Sequence, residues 1–256
     1  MPNTVGIIYT TFLRNELAEQ TIESIQPSLN KDVYLFIGDQ NKENNKCLPS
    51  PKCKFTFYYP LPYDCGLSYS RNFLVNRAEE LRCEYCLLTA DSICFVNNYD
   101  FSPHINFLKE KDSRAIIGFE ILNRQSYEYD LELSNKFDKF VLIEPRRPKI
   151  NNYQPCDIVR NFFIAKTSVL KEIKWDNNLG LCEHEDFFYR LKQKGYEVFY
   201  TNELHASYLD HKPEEYKKMR NRLYGEFKDR LKNKYNLDNI GSWILYNHKL
   251  SKEDRI

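Results

Sequence analysis

The sequence has no excess of charge of either sign and no long apolar run. Thirty-seven Lys and Arg residues face 36 Asp and Glu residues, which leaves a formal net charge of +1. Dedicated nucleic-acid-binding proteins usually carry a basic excess, so we do not expect nucleic acid as a partner. No apolar stretch approaches the roughly 20 residues that span a bilayer. The first residues also lack the charged and apolar regions of a secretory signal, and we therefore expect a cytoplasmic protein.

Cysteine is present, but not in the arrangement that a zinc site needs. The chain has eight cysteines, of which Cys83 and Cys86 form a single C-x2-C pair. A structural zinc site would need two further ligands at a comparable spacing, and the sequence has no second pair. An even number of cysteines is typical of a disulfide framework, but without a secretory signal we expect reduced thiols.

What the sequence does contain is an alternation of strand and helix patterns. The apolar spacing predicts buried strands at 4–10 and 31–37, with a helix at 16–25 between them. This order predicts that the two strands are parallel. The remaining patterns predict strands at 55–59, 84–88, 115–119 and 196–201, and helices at 68–81, 100–111, 168–173 and 185–194.

Three further segments of the chain have other patterns. The periodicity at 126–152 fits either a hairpin or a mobile loop, and 156–166 resembles one strand. We divide the chain into an α/β domain at 1–211 and a C-terminal helical extension at 212–256, packed on or beside it. That extension is rich in Lys and Arg, which is typical of a solvated face or a packing arm. It could also contact an anionic membrane as a peripheral element.

Polar side chains follow three of the predicted strands. These residues are Thr10, Thr11 and Arg14 after the first strand, Asp39 after the second and Asp91 after the fourth. In open parallel sheets, ligands bind beyond the carboxyl ends of the strands, where the strand order reverses. A single such residue would more simply cap its strand, but three strand ends together predict a cleft.

Four segments resemble the family-2 type of GT-A glycosyltransferase. They are TVGIIYTTFLRNE, YLFIGDQN, CGLSYSRNFLVNRAEELRCEYCLLTADS and WDNNLGLCEHEDFFYRLKQKGYEVFYTNELHASY, and they span most of the chain. Within this group, DIVRNFFIAKTSVL followed by HEDFFYRLK looks most like the β-1,4-N-acetylgalactosaminyltransferases. The resemblance implies a GT-A, Rossmann-like α/β fold, with a mostly parallel central sheet flanked by helices. It also implies transfer of a hexosamine or hexose from a UDP-linked donor to a glycan, glycolipid or protein acceptor.

The resemblance implies a donor site along the ends of the first strands. The loop after the first strand is similar to the family's nucleotide-contacting loop, and the residue after the second strand is similar to its base-recognising Asp. Arg71 is similar to a phosphate-holding arginine, although an exposed helix charge is the alternative. The implied donor-binding residues are Thr10, Thr11, Arg14, Asp39, Gly66, Arg71 and Thr89.

The family's Asp-x-Asp metal motif appears here as Thr89-Ala90-Asp91, so its first carboxylate is missing. Asp91 corresponds to the residue that touches the metal, and His205 corresponds to a metal-binding histidine, with His211 as its competitor. The resemblance therefore implies a Mn²⁺ or Mg²⁺ ion that neutralises charge on the departing diphosphate. The missing carboxylate puts this metal dependence in doubt, and Asp91 as a turn cap is the alternative.

The acceptor hydroxyl must lose a proton as it attacks, and a carboxylate serves as the general base. By resemblance Asp186 is that base and Glu185 orients the acceptor, although the two could exchange roles. A direct, base-assisted attack would invert the anomeric configuration. Trp175 and Arg190 are the implied acceptor-binding residues. The alternative is that the acids only form a charged first turn of a helix.

Two other functions remain open at this point. A nucleotidyltransferase uses a related α/β sheet, but it would need a glycine-rich, basic phosphate loop near the first strand. The segment TTFLRNE has no glycine, which counts against that function. The missing first carboxylate motivates a non-catalytic carbohydrate-binding module derived from a glycosyltransferase.

Overall fold

A computed structural model describes residues 3–42, 54–124, 127–134, 139–180, 182–210, 212–237 and 244–246. Its strands are β1 (Val5–Thr11), β2 (Val33–Asp39), β3 (Thr56–Pro60), β4 (Tyr85–Leu88), β5 (Ile93–Phe95), β6 (Ala115–Leu122), β7 (Asp130–Ser134), β8 (Lys139–Ile143), β9 (Gln154–Cys156), β10 (Phe163–Lys166), β11 (Glu197–Tyr208) and β12 (Ile244–Tyr246). Its helices are α1 (Asn15–Ile25), α2 (Leu67–Glu80), α3 (Ser102–Glu110), α4 (Thr167–Ile173), α5 (Glu183–Gln193) and α6 (Glu214–Tyr235).

The central sheet has nine strands and is mostly parallel, as the sequence predicts. Its order is β3-β2-β1-β4-β10-β6-β11-β5, and β9 pairs with β11 outside this path. Strands β1 to β4, β6 and β11 run in one direction, whereas β5, β9 and β10 run in the other. After β1 the chain adds β2 and β3 on one side, and β4 then pairs with β1 on the opposite side. The strand order therefore reverses between β1 and β4, which is where open sheets form their ligand crevice.

Helices cover both faces of this sheet. All seven residues of β1 are buried, because alternate side chains of a strand point to opposite faces and both faces are covered here. Ile7 packs in one core with α1 and α3, while Ile8 packs in the other core with α2, α4 and α5. The continuous apolar runs that predicted these strands are thus explained by burial on two sides.

Segment 126–152, whose pattern fits either a hairpin or a loop, contains the antiparallel pair of β7 and β8. Strand β12 adds to β8 in parallel, so a second, three-stranded sheet lies beside the first. Asp157 anchors this sheet. Its carboxylate accepts a hydrogen bond from the backbone N–H of Leu131 at 3.1 Å and pairs with Arg147 and Lys192 at 2.7 Å each.

Two predicted segments have different boundaries in the structure. The segment predicted as one strand at 156–166 contains the end of β9 and all of β10, because the chain between them turns to carry Asp157 to its cationic partners. The predicted strand at 196–201 continues as β11 to Tyr208 through a register shift between Thr201 and His205. Strand β5 has only three residues, which is too short for a periodicity to predict.

The C-terminal helix α6 packs against the α/β domain. Leu231 of α6 is fully buried in the core, and the ring of Phe227 lies over Gly180. A β-carbon on Gly180 would lie 2.3 Å from that ring, so only glycine allows this approach. Because β12 follows α6, the extension predicted as helical also contains a strand. None of the helices in the described ranges is both long and apolar enough to cross a bilayer.

Close packing at Gly118 of β6 yields a first prediction. A β-carbon at this position would lie 2.4 Å from the β-carbon of Val159, so Gly118→Ala forces the core to shift. We expect it to lower the free energy of unfolding by about 1–3 kcal/mol, the usual cost of overpacking. The measurement is chemical denaturation at equilibrium.

The exposed Gly225 of α6 provides the matched control. No heavy atom lies within 4 Å of a β-carbon there, and the residue sits inside a helix. Gly225→Ala should therefore raise the free energy of unfolding by roughly 0.5–1 kcal/mol. Equal stability changes in the two variants would contradict the packing described at Gly118.

Candidate active site

A central cavity of about 780 Å³ opens beyond the carboxyl ends of β1 and β4. This is the point where the strand order reverses, and the volume lies within the usual range for small-molecule sites. Its walls come from the ends of β1 and β4, the first turns of α2 and α5, and one face of α6. Six basic and four acidic side chains line it, so the cavity favours an anionic ligand.

Arg14 and Asp91 meet on one wall of the central cavity. Arg14 lies at the start of α1 just after β1, and Asp91 follows β4, so the reversal of strand order brings them together. They form a salt bridge whose side chains are 11% and 3% exposed. Burial disfavours the charged guanidinium, but Asp91, together with Tyr216 and Tyr208, more than offsets this effect, and the pKa of Arg14 is raised. Burial raises the pKa of Asp91, and Arg14 opposes that rise.

The first turn of α5 carries three acids that point in different directions. Successive residues of a helix differ by about 100° in direction, so the three carboxylates reach different surroundings. Glu183 turns to Arg71 of α2 and pairs with it at 2.6 Å, with both side chains almost fully buried. Glu185 lines the central cavity. The positive end of the helix dipole stabilises negative charge at all three positions.

Asp186 points away from the central cavity and into the protein. It is fully buried, and its carboxylate accepts a hydrogen bond from Nε of Arg190 at 2.9 Å. Lys234 pairs with it at 2.6 Å and the hydroxyl of Tyr235 donates to it at 2.8 Å, so this acid ties the end of α6 to α5. Arg190 also donates to the backbone carbonyl of Lys174 at 2.7 Å.

The structure places the predicted base Asp186 and the predicted acceptor contact Arg190 outside the central cavity. Neither Asp186 nor Arg190 is among the residues that line the central cavity, and their hydrogen-bonding groups are used within the protein. Glu185, the neighbouring acid, lines the central cavity. The side chain of Asp186 differs by about 100° in direction from that of Glu185 and is held inside by Arg190 and Tyr235.

The pKa of Glu185 is raised from its ordinary value of 4.5 to about 8. Burial is the main cause, and the negative charges of Glu183 and Asp186 add to it. A carboxyl group with a pKa close to the working pH can accept a proton and release it again, which is what general acid–base catalysis requires. Perturbed acids in a cavity mark candidate functional sites.

Most of the predicted donor-binding residues do line the central cavity. The structure brings together Thr10, Thr11, Arg14, Gly66 and Arg71.

Asp39 and Thr89 lie behind the cavity wall instead. Asp39 is fully buried and accepts hydrogen bonds from the backbone N–H of Asn41 at 2.8 Å and from the Tyr58 hydroxyl at 2.9 Å. The next residue, Gln40, lines the cavity, and its Oε1 accepts a hydrogen bond from the backbone N–H of Gly66 at 2.9 Å. Asp39 therefore stabilises the loop after β2, and the side chain of the next residue, Gln40, lines the central cavity.

Trp175 also lies in the interior rather than on the cavity wall. It is 2% exposed and stacks on Phe187 with ring centroids 4.6 Å apart. The Arg71 guanidinium lies 5.5 Å from the Trp175 ring. The Trp175 ring therefore packs near the Arg71 guanidinium inside the protein and does not line the central cavity.

The described residues do not offer the ligand set of a divalent ion. Asp91 lines the central cavity, but it is already paired with Arg14. His205 is not among the lining residues, and its backbone carbonyl accepts a hydrogen bond from the Tyr99 hydroxyl. No three His, Cys, Asp or Glu side chains converge in a metal-binding group within these residues. The competitor His211 lies outside the described residues.

The cysteines that the sequence singled out are structural. Cys83 and Cys86 are buried free thiols, and burial raises the pKa of each to about 12. Thiols with such pKa values stay protonated at neutral pH. Cys83 packs under β1, where a β-carbon on Gly6 would lie 3.3 Å from its sulfur.

Several cavity residues were missed by sequence reasoning, above all those of α6. Tyr216, Met219, Leu223 and Phe227 line the central cavity at a spacing of three or four residues, and Leu231 continues the same stripe into the core. This helical period was the available signal, because apolar residues on one face of a charged helix indicate a packed face. Other missed side chains on the wall are Asp64, Arg124, Arg160, Glu183, Tyr208, Lys212 and Arg220.

Comparison with known proteins bears on the fold. No protein-family model matches the sequence, and no curated protein matches it. The structure is similar to a crystal structure of GalNAc-T7 with UDP, GalNAc and Mn²⁺, with a TM-score of 0.62 and 11% sequence identity. The chain has the GT-A fold. The match covers 90% of this chain and 49% of the other, so this chain spans about half the length of the protein it matches.

The raised pKa of Glu185 predicts a pH-dependent cost in stability. Because the folded state prefers the protonated acid, its contribution to stability is complete below about pH 4.5 and is lost as the pH rises towards 8. Glu185→Gln keeps a neutral side chain at every pH. We therefore expect its melting temperature to exceed that of the wild type by an amount that grows between about pH 5 and pH 8.5. Differential scanning calorimetry measures this difference, and a constant offset across the range would refute the buried acid.

Proposed function

We propose that this chain is an inverting glycosyltransferase that transfers a hexosamine or hexose from a UDP-linked donor to a hydroxyl acceptor. One observation carries the proposal. The central cavity has the Arg14–Asp91 pair on one wall and the carboxyl group of Glu185, with its raised pKa, on another. A cation for a departing diphosphate and a base for an incoming alcohol are the two groups that glycosyl transfer needs. The GT-A fold agrees with this chemistry.

The donor is proposed to lie across the ends of β1 and β4. Thr10, Thr11 and Gln40 line the part of the cavity nearest β1 and β2, which suits the nucleoside. The guanidinium groups of Arg14 and Arg71 suit the diphosphate, because their planar N–H groups match phosphate oxygens. The similar structure of GalNAc-T7 contains UDP, which is the reason for proposing a uridine nucleotide here.

The proposed reaction is a direct displacement at the anomeric carbon. The acceptor oxygen attacks from the side opposite the diphosphate, and Glu185 takes the proton of the acceptor hydroxyl. The bond between the anomeric carbon and the phosphate oxygen breaks, and its electron pair leaves with the nucleoside diphosphate. Attack opposite to the leaving group inverts the anomeric configuration. Every step assigned here uses only groups of the chain.

The remaining acids of α5 are proposed to hold the catalytic turn in position. Glu183 fixes α5 to α2 through Arg71, and Asp186 fixes it to α6 through Tyr235 and Lys234. A base must be held within a few tenths of an ångström of its working position, and such paired neighbours supply that rigidity.

The acceptor is proposed to be a glycan, a glycolipid or a protein hydroxyl group. The stripe of α6 gives the cavity an apolar wall that includes Tyr216 and Phe227. Aromatic faces of this kind suit the apolar faces of sugar rings. If the acceptor is linked to a lipid, the exposed basic residues of α6 would provide the peripheral membrane contact.

A non-catalytic carbohydrate-binding module is the second candidate, and one observation favours it. Asp91, the only carboxylate left of the family's metal motif, is engaged by Arg14. Such a module would bind glycans without requiring a nucleotide. A nucleotidyltransferase has less support, because the described loop between β1 and α1 contains no glycine.

The discriminating experiment is a donor screen. The purified chain is incubated with a panel of nucleotide sugars, with Mn²⁺ and with a chelator, and released nucleotide is measured. We expect a UDP-linked hexosamine or hexose to be hydrolysed. Glycan binding without nucleotide release would favour the module, and release of pyrophosphate from nucleotide triphosphates would favour the nucleotidyltransferase.

The roles of the two adjacent acids can be separated by matched variants. Glu185→Gln removes the proposed base and should lower kcat/KM by about 100-fold or more. Asp186→Asn weakens the contacts to α6, so it should lower the melting temperature while retaining transfer within about tenfold of the wild type. The opposite pattern, with Asp186→Asn inactive and Glu185→Gln active, would return the base to Asp186.

The pH profile tests the same assignment without a variant. The base must be deprotonated to act, and the pKa of Glu185 is about 8. Therefore kcat/KM of the wild type should rise with pH and level off above about pH 8. A profile that is already flat from about pH 5 would exclude a base with this pKa.

A further inference from the structure

The buried ion pair of Arg14 and Asp91 holds a cation in a fixed position on the wall of the central cavity. Arg14 comes from the end of β1 and Asp91 from the end of β4, so the pair lies where the sheet order reverses. The side chains are 11% and 3% exposed. A cation in such surroundings interacts with an anion more strongly than it would in water.

The guanidinium of Arg14 retains donor capacity for a ligand. The Nη2 atom of Arg14 pairs with Asp91, and its Cζ atom lies 4.3 Å from the centroid of the Tyr216 ring. Its Nε is buried and has no hydrogen-bond partner in the part of the chain that the structure describes. Asp91 therefore does not use all five N–H groups of the guanidinium. The Arg14 side chain lines the central cavity and is 11% exposed, so a phosphate oxygen there can approach it.

A divalent ion does not fit the same place. A metal bound by the chain would need several oxygen or nitrogen ligands, whereas Thr89 replaces the first carboxylate of the motif. The remaining carboxylate, Asp91, is already neutralised by a guanidinium that keeps its proton at any physiological pH. A second cation beside Arg14 would be repelled by it.

We propose that Arg14, held in position by Asp91, takes the place of the metal ion and binds the diphosphate of the donor. The inference rests on the proposed function and specifies how the donor site works. Asp91 is then a positioning residue for a guanidinium rather than a ligand of Mn²⁺ or Mg²⁺. As the anomeric bond breaks, the electron pair moves to the phosphate oxygen, and Arg14 stabilises the added negative charge. The acceptor proton goes to Glu185, so charge and atoms balance without any further reactant.

The wild-type chain provides the first test, with UDP as the probe. UDP binding is measured by isothermal titration calorimetry, once with a chelator present and once with Mn²⁺. We expect dissociation constants that agree within about threefold. Binding that appears only with Mn²⁺ would overturn the role of Arg14 and leave the proposed nucleotide-sugar site intact. Failure to bind UDP under both conditions would overturn the proposed function as well.

Variants then test the residue itself. Arg14→Gln should weaken UDP binding by about tenfold or more with and without Mn²⁺, because it removes the cation. Arg14→Lys keeps the charge without the planar fork, and an intermediate loss is expected. The matched control is Arg82→Gln, an exposed arginine just beyond α2, which should bind UDP like the wild type.

Asp91→Asn separates positioning from metal binding. A positioning residue predicts that UDP affinity falls by the same factor with chelator and with Mn²⁺. A metal ligand predicts a loss that is confined to the Mn²⁺ condition, and that result would overturn the proposal. If Arg14→Gln does not fold, the comparison of chelator and Mn²⁺ in the wild type and in Asp91→Asn still decides it.

Discussion

Two strand ends and one ion pair fix the geometry of the central cavity. Because the sheet grows in opposite directions from β1 and β4, the loops after these strands part and leave a crevice. Arg14 and Asp91 come from these two loops and close the bottom of the crevice with a buried salt bridge. Burying two charges is favourable only when they are paired and hydrogen-bonded, so the pair also specifies how the two loops must sit. Helices α2, α5 and α6 supply the other walls of the central cavity.

The first turn of α5 uses helical geometry to divide three similar residues among three tasks. Glu183 holds α2, Asp186 holds α6, and Glu185 is left facing the cavity. Two of the acids have cationic partners, and these partners keep the turn in place. The third lies buried beside two negative charges, which raises its pKa and gives it basicity at the expense of stability. The same arrangement thus supplies a rigid support and leaves an acid with a raised pKa on the cavity wall.

Helix α6 completes the cavity and links it to the second sheet. Its apolar stripe covers the crevice, Phe227 lies against Gly180, and Tyr235 reaches the carboxylate of Asp186. The strand that follows α6 pairs with β8 of the small sheet. Helix α6 is therefore part of the candidate site.

The sequence by itself determined the order of strands and helices, the parallel sheet and the wall that contains Thr10, Thr11, Arg14 and Asp91. Local periodicity and residues at strand ends depend on the backbone around them, so they can be seen in the chain. Segment 156–166, the short strand β5 and the place of α6 could not be predicted, because they depend on contacts between distant residues, such as Asp157 with Lys192 and Asp186 with Tyr235.

Only the tertiary structure decided which polar residues share the cavity. Adjacent acids look alike in a sequence, and the direction in which α5 is packed determines that Glu185 faces the ligand space while Asp186 is paired inside. The same holds for Asp91, because only the fold shows that Arg14 approaches it from another strand end and pairs with it. Side-chain direction is set by packing between elements, and a linear pattern does not contain that information.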